Sequence, residues 1–273
     1  MQHHFSGKTA LITGSGSGIG KATALAFCRA GASVMLNGRN AEKLEHACIE
    51  FRNQGFQVSY CVADVQDYAQ CQRLVRETVL QFGRLDVLVA NASSSMQAEF
   101  IRMDPGVFRQ VLDSNILSPA YTAHAALPAL LETGGSLIFV GSLSGLIGLP
   151  TGSAYSAGKM ALTALAQSLR LETIDDGVHV GIAYVGFTKN DPKKRVFDAE
   201  GQLVPVAKRS NWMQQSQEQV ADAIVRLATR RGRRVILSPL GKFLYMLNAL
   251  SPSLAERGVY WSYKKMKRMY KSR

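Results

Sequence analysis

Tyr155 and Lys159 are the residues whose types and spacing most directly suggest chemistry. They stand four positions apart beside a segment with helical periodicity, so they share one face of the predicted helix. A free phenol has a pKa of about 10, and a neighbouring ammonium lowers that pKa because its charge stabilises the phenolate. The pair therefore predicts a tyrosine that transfers a proton with the assistance of a lysine.

A glycine-rich turn is the second pattern, Thr13-Gly14-Ser15-Gly16-Ser17-Gly18-Ile19-Gly20. It follows the first apolar run directly and opens a helical pattern. Glycines allow the backbone to approach a phosphate, and the N-terminus of a helix attracts its negative charge. The turn therefore predicts a site for a dinucleotide pyrophosphate, and the alternative is a loop that needs glycine only for positive φ.

Arg39 indicates which dinucleotide is expected. A site for NAD usually has an acidic residue about 20 positions beyond the glycines, where it binds the ribose 2′-hydroxyl. This chain has Asn37-Gly38-Arg39 there, and a guanidinium suits a 2′-phosphate. We therefore expect NADPH/NADP+, with Ser15 contributing a hydroxyl to the same phosphate. The alternative is a solvated arginine at the start of a helix.

Alternating strand and helix patterns must position these residues. The strand candidates are KTALIT, ASVMLN, FQVSYCVA, RLDVLVAN, GSLIFVGS, VHVGIAYV and RRVILS. Amphipathic segments of helical length separate them, a pattern typical of a parallel sheet that is buried on both faces. The prediction is an α/β fold: one doubly wound, Rossmann-type domain over residues 1–237, with a seven-stranded parallel sheet and helices on both faces.

Composition limits the other possibilities. At 273 residues with 47% apolar content, the chain suits one domain. The four cysteines have neither C-x-x-C spacing nor a metal-ligand pattern. We therefore expect reduced thiols and no metal. The N-terminus has no room for a signal peptide, which favours a cytoplasmic protein. Residues 187–215 are polar and long for a connection, and we interpret them as a lid over a binding site.

The C-terminal extension, residues 238–273, is basic and amphipathic. The whole net charge of +12 falls in residues 226–273, which hold 13 basic residues and a single acid. Aromatic and apolar residues between the cations favour a helix at an anionic membrane surface, on the inner face of a membrane. The alternative is a helix pair that forms an oligomer or covers the core, and both can hold. No nucleic-acid module accompanies the charge, so no nucleic acid is expected.

Together the motifs resemble the short-chain dehydrogenase/reductase family over residues 6–237. The matching pieces are TGSGSGIG after the first strand, Asp64-Val65 after the third, Asn91-Ala92 after the fourth, Asn115 in the next helix, Ser142 after the fifth strand and YSAGK in the helix that follows. Two positions depart from the family pattern. Ser93 stands where a glycine is usual, and Val185 precedes Gly186 where a proline is usual.

The resemblance implies a role for each matching residue. It implies that Asn115 holds a water in a proton relay, Ser142 orients a substrate carbonyl, Tyr155 donates the proton, and Lys159 binds the nicotinamide ribose and lowers the tyrosine pKa. The expected catalytic set is thus Asn115, Ser142, Tyr155 and Lys159. The expected cofactor-binding set is Gly14, Ser15, Ser17, Gly18, Ile19, Gly20, Arg39, Asp64, Val65, Asn91, Ala92, Tyr155, Lys159, Gly186 and Thr188.

The resemblance is closest to 11-beta-hydroxysteroid dehydrogenases and 3-ketosphinganine reductases. It implies a small hydrophobic carbonyl or alcohol substrate, lipid- or steroid-like, and a homodimer or homotetramer. Two rival interpretations remain at this stage. One is a 3-oxoacyl-carrier-protein reductase, which would share the same tetrad. The other is a non-enzymatic protein that binds NADPH or a lipid surface, which would be expected to have lost Tyr155 or Lys159.

Overall fold

A parallel sheet of seven strands forms the centre of the molecule. The computed structural model describes residues 4–189, 194–206 and 214–271. The strand order is β3-β2-β1-β4-β5-β6-β9, and every neighbouring pair is parallel. The strands are β1 Thr9–Ile12, β2 Ser33–Gly38, β3 Val58–Val62, β4 Val87–Ala90, β5 Ser136–Ser142, β6 His179–Val185 and β9 Arg234–Ile236. All seven predicted strands are thereby confirmed.

Helices connect these strands and cover both faces of the sheet. They are α1 Gly18–Arg29, α2 Ala41–Arg52, α3 Tyr68–Phe82, α4 Pro105–Leu112, α5 Ser118–Thr133, α6 Ser153–Glu172 and α7 Gln217–Arg230. Local sequence determines several of their starts. Asn40 and Asp67 accept backbone N–H bonds at the starts of α2 and α3, and Ser216 forms a capping box with Gln219 at the start of α7.

The hydrophobic core has two layers because successive residues of a strand point to opposite faces. In β1, Ile12 packs with Phe27 of α1 and Phe51 of α2 in one layer. Leu11 packs with Leu130 of α5 and other apolar side chains in the second layer. A smaller apolar cluster lies beside the second layer, near the start of α6. The doubly wound fold follows from this burial on both faces.

The segment predicted as a lid contains a short hairpin. Its strands are β7 Arg195–Phe197 and β8 Leu203–Pro205, which pair antiparallel. Phe197 bonds through its backbone to Ser95 and Gln97, at 2.9 and 2.8 Å, so the hairpin lies against the connection that follows β4. Of the predicted lid 187–215, residues 190–193 and 207–213 lie outside the described residues.

Two helices form the C-terminal extension, α8 Pro239–Leu250 and α9 Pro252–Lys271. Asn248 of α8 donates a hydrogen bond to the carbonyl of Leu146 at 3.0 Å. Tyr263 of α9 donates one to the Glu99 carboxylate, also at 3.0 Å. The helical extension is therefore attached to the connection after β5 by α8 and to the connection after β4 by α9. No helix among the described residues has the length and apolar content needed to cross a membrane.

Candidate active site

Ser142, Tyr155 and Lys159 meet at the carboxyl end of β5. Ser142 ends this strand, and α6 begins at Ser153, so both Tyr155 and Lys159 lie in its first two turns. The Lys159 ammonium is buried, donates to the carbonyl of Val140 at 2.9 Å, and lies 5.7 Å from the centre of the Tyr155 ring. Tyr155 is half-buried. The three side chains thus share one small space at the strand end.

The pKa of Tyr155 lies above its usual range in this structure, and the expected lowering by Lys159 stays a prediction. Burial raises the pKa of Tyr155, and a hydrogen bond with Ser142 only partly offsets that effect. Burial, together with the positive charge of Lys194, lowers the pKa of Lys159 to about 7. A buried amine loses its proton more readily because the charged form is poorly solvated. Lys159 is consequently an active-site group whose pKa lies near neutral pH.

Asn115 lies in a π-helical turn, Asp113–Leu117, between α4 and α5. Its side-chain amide donates to the carbonyls of Ser94 and Val111, at 2.7 and 2.8 Å. Its carbonyl oxygen is buried and has no partner among the described residues. A Cβ on Gly158 of α6 would lie 2.7 Å from the Asn115 Cβ, so the glycine permits close packing here. The free oxygen suits the expected water-binding role, which stays a prediction.

The glycine-rich turn has the close packing that a phosphate site requires. Gly14 and Gly18 have φ values of +63° and +59°, a region that favours glycine. A Cβ on Gly20 would overlap the backbone carbonyl of Gly14. Asn91 holds the turn from the neighbouring strand, since its side-chain amide donates to the carbonyl of Thr13 at 2.9 Å. The start of α1 therefore lies against the cavity, which Ser17, Gly18 and Ile19 line.

Two adjoining cavities contain nearly all of the predicted site residues. The larger, of about 340 Å³, is lined by Gly14, Ser17, Gly18, Ile19, Gly20, Arg39, Asp64, Val65, Asn91, Ala92 and Thr188 of the predicted set. The smaller, of about 100 Å³, is lined by Ser142, Tyr155, Lys159 and Gly186. Ile19, Asn91, Ser93, Thr188 and Lys194 line both. We call them the dinucleotide cavity and the catalytic cavity.

Ser15 does not lie where the sequence analysis expected it. Its side chain is fully buried and donates to the carbonyl of Ile12 at 2.9 Å. Its oxygen accepts the backbone N–H of Asn37, also at 2.9 Å. The hydroxyl therefore joins β1 to β2 and is not available to a 2′-phosphate. The prediction for Ser15 is wrong because a serine in a tight turn bonds to its own backbone surroundings.

The residues around Arg39 fit a phosphorylated ribose. Arg39 pairs with Asp64 at 3.6 Å, and its side chain remains 68% exposed. Lys43, in the first turn of α2, lines the same cavity. Sequence reasoning missed Lys43, although a cation four positions after Arg39 is close enough to share its surroundings. It also missed Lys189 and Lys194, which line the dinucleotide cavity from the predicted lid.

Comparisons with known proteins agree with this geometry. The short chain dehydrogenase family model matches residues 8–201. An 11-beta-hydroxysteroid dehydrogenase 1A of Arabidopsis thaliana is 33% identical, over 92% of this chain and 74% of that protein. A 3-ketodihydrosphingosine reductase of Bos taurus is 32% identical, over 91% of this chain and 76% of that protein.

Solved structures share the same fold. The structure of an alcohol dehydrogenase from Thermococcus sibiricus, complexed with 5-hydroxy-NADP, superimposes with a TM-score of 0.74 and is 25% identical. The superposition covers 85% of this chain and 96% of the alcohol dehydrogenase chain. The chain therefore belongs to the short-chain dehydrogenase/reductase family, the oxidoreductases that interconvert alcohol and ketone groups with a nicotinamide dinucleotide.

Proposed function

We propose that the chain is an NADPH-dependent reductase of a hydrophobic, lipid- or steroid-like ketone, with Tyr155 as the proton donor. The observation that carries the proposal is that the catalytic and dinucleotide cavities adjoin. Ser142, Tyr155 and Lys159 line the first, and the N-terminus of α1 lines the second. The opposite direction, oxidation of the matching secondary alcohol, uses the same residues.

The reaction assigns a separate task to each catalytic side chain. When bound, the dinucleotide supplies a hydride to the carbonyl carbon. Ser142 orients the carbonyl oxygen through its hydroxyl, and Tyr155 donates its phenolic proton to that oxygen. Lys159, whose ammonium lies beside the Tyr155 ring, stabilises the resulting phenolate. Asn115 accepts a hydrogen bond from the water that returns a proton to the site.

Charge in the dinucleotide cavity supports NADP(H) over NAD(H). Arg39 and Lys43 line this cavity beside the end of β2. A 2′-phosphate carries about two negative charges, which these two cations would attract. Asp64 opposes a phosphate at the same place, but its ion pair with Arg39 reduces that repulsion. The similar alcohol dehydrogenase of known structure, 25% identical, was solved with 5-hydroxy-NADP.

The surroundings of Tyr155 support a hydrophobic substrate. Its ring packs against an apolar cluster whose buried members are Met96, Ala98, Met103, Val107, Val111 and Ala154. Methionine adapts to ligands of irregular shape because its side chain is unbranched and flexible. The names of the similar proteins include a steroid dehydrogenase and a sphingoid reductase, both of which handle large apolar molecules.

The experiment that tests this function is a screen of NADPH oxidation with steroid, sphingoid, acyl-carrier and small aromatic ketones. We expect turnover with at least one large apolar ketone and little with a compact polar one. Activity restricted to acyl-carrier substrates would replace this proposal with that of a 3-oxoacyl-carrier-protein reductase. Tight NADPH binding without turnover of any ketone would favour a non-enzymatic role.

We further propose that the extension binds an anionic membrane surface. Large apolar side chains of α8 and α9 are exposed, among them Phe243, Met246, Leu250 and Trp261. Cations follow them in sequence, and the side chains beyond Lys264 lie outside the described part of the chain. Apolar contact combined with basic charge is the combination that favours a membrane interface. An oligomer built on the same helices is the competing interpretation.

A further inference from the structure

The cations of the dinucleotide cavity form two pairs. Among the described lining residues the charged ones are Arg39, Lys43, Asp64, Lys189 and Lys194. Arg39 follows β2 and Lys43 lies in the first turn of α2, and the single acid, Asp64, follows β3 and pairs with Arg39. Lys189 and Lys194 belong to the segment after β6. The proposed function accounts for the first pair and gives no task to the second.

Lys194 has a special position within the second pair. Of the five residues that line both cavities, it is the one with a charged side chain. Its charge also acts on buried Lys159. Lys189 lines the dinucleotide cavity but not the catalytic cavity. Its backbone N–H donates to the carbonyl of Gln215 at 2.9 Å. Lys194 therefore lies where the phosphate-binding and proton-transferring parts of the site meet.

We propose that Lys194 binds the pyrophosphate of the dinucleotide opposite the N-terminus of α1, an inference that rests on the proposed function. Gly18 and Ile19 at that N-terminus line the same cavity, so a phosphate there faces backbone N–H groups on one side and a lysine on the other. The bound charge compensates Lys194 and relieves its repulsion of Lys159. Dinucleotide binding and the protonation of Lys159 are thereby linked.

The charge balance supports this assignment. Two phosphate groups joined as a pyrophosphate need more positive charge than a helix N-terminus supplies, because the helix contributes only about half an elementary charge. A lysine ammonium adds a full charge and strong hydrogen bonds to phosphate oxygens. Without an anion, Lys194 and Lys159 repel each other across the catalytic cavity. The ligand that the proposal names is the one that removes this repulsion.

The test measures the affinity of four proteins for two probes. The proteins are the unmodified enzyme and its Lys194→Met, Lys194→Arg and Lys189→Met variants. The probes are NADPH, which has the pyrophosphate, and adenosine 2′-monophosphate, which lacks it. We expect Lys194→Met to weaken NADPH binding about tenfold or more, the loss expected for one charge-assisted hydrogen bond. Lys194→Arg should stay within about twofold, because it keeps the charge.

Adenosine 2′-monophosphate separates a local effect from a general one. Its affinity should be unchanged by Lys194→Met, and the loss for NADPH should shrink at high salt, where charge interactions are screened. Unchanged NADPH affinity in Lys194→Met, or an equal loss for both probes, would overturn the inference. Failure of the unmodified enzyme to bind NADPH at all would instead contradict the proposed function, so the two failures are distinguishable.

Discussion

At the scale of single residues, the active site depends on the protonation states of two side chains in a poorly solvated space. Lys159 is buried on the carbonyl of Val140, and the Tyr155 phenol is held in its neutral form by burial. A neutral phenol is the form that can donate a proton to a carbonyl oxygen. Burial therefore keeps Tyr155 in its acid form, and Lys159 becomes important when the phenolate forms.

Replacing Tyr155 with phenylalanine deletes the proton and keeps the ring. We expect the rate of ketone reduction to fall by at least about a hundredfold, the range for loss of a positioned acid. NADPH affinity should stay within about twofold, because the ring still packs against its apolar neighbours. Steady-state kinetics and direct titration with NADPH measure the two effects. Near-normal turnover would mean that the proton comes from another group.

Arg39 tests the choice of dinucleotide. The unmodified enzyme should favour NADPH over NADH by at least about tenfold in kcat/KM, equivalent to about 1.4 kcal/mol. Arg39→Asp should reverse this preference, because the new carboxylate repels a 2′-phosphate and joins Asp64 in the cavity. Arg76 is an exposed residue of α3 that lines neither cavity. Arg76→Asp makes the same charge change there and should leave the preference unaltered. Equal kcat/KM for both dinucleotides in the unmodified protein contradicts the assignment.

The pKa of Lys159, lowered to about 7, predicts a pH dependence. Its ammonium is present below that pH and is lost as the pH rises, whereas the raised pKa of Tyr155 keeps the phenol protonated throughout. The kcat/KM for NADPH, which reports the free enzyme, should therefore decrease as pH rises through about 7. Lys194→Met removes a repelling charge and should move this decrease to higher pH. Lys189→Met should not move it, and an unchanged midpoint in Lys194→Met contradicts this account of Lys159.

Sequence reasoning reached some of these residues because their roles follow from position in a regular element. Tyr155 and Lys159 were predictable from spacing on a helix, and Ser142 from the resemblance to the family pattern. The Ser15 hydroxyl was not, because its partners come from two neighbouring strands. The raised Tyr155 pKa was not predictable either, since burial depends on side chains distant in sequence.

At the scale of elements, hydrophobic patterning predicted the sheet and its helices. The π-helical turn that presents Asn115 has no such signal, because one extra residue in a turn leaves the apolar pattern almost unchanged. The hairpin within the predicted lid was also missed. Its three-residue strands are too short for a periodic pattern and are held by backbone bonds to Ser95 and Gln97.

The last part of α9 permits a test of the membrane proposal. Truncation before Lys264 removes a basic segment and retains Tyr263, whose bond to Glu99 anchors the helix. We expect sedimentation with anionic vesicles to decrease, because each basic residue near such a surface contributes about 1 kcal/mol. Binding of the intact protein should weaken with salt and be poor on neutral vesicles.

NADPH binding provides the control for this truncation. It should be unchanged, since the residues that line the dinucleotide cavity all precede Lys264. The competing interpretation instead predicts that the truncation affects assembly. If the intact protein ignores anionic vesicles at low salt and truncation dissociates an oligomer, the extension is an assembly element.

At the scale of the whole molecule, the parallel sheet brings distant residues together. Because every strand of the sheet runs in the same direction, the glycine-rich turn after β1, Arg39 after β2, Asn91 after β4 and Ser142 at the end of β5 lie along one edge. This edge is formed by the carboxyl ends of the strands, where ligands of open α/β sheets bind. The extension bonds to the connections that follow β5 and β4, through Asn248 and Tyr263 respectively.

Transfer of a label from the dinucleotide to a substrate tests the central claim most directly. NADPH deuterated at C4 of the nicotinamide is incubated with the enzyme and the ketone panel, and the alcohol product is analysed by mass spectrometry. We predict one deuterium on the carbinol carbon of a large apolar alcohol, with formation strongly reduced in Tyr155→Phe. The account is contradicted if NADPH binds but no ketone of the panel acquires deuterium, or if Tyr155→Phe transfers the label at the normal rate.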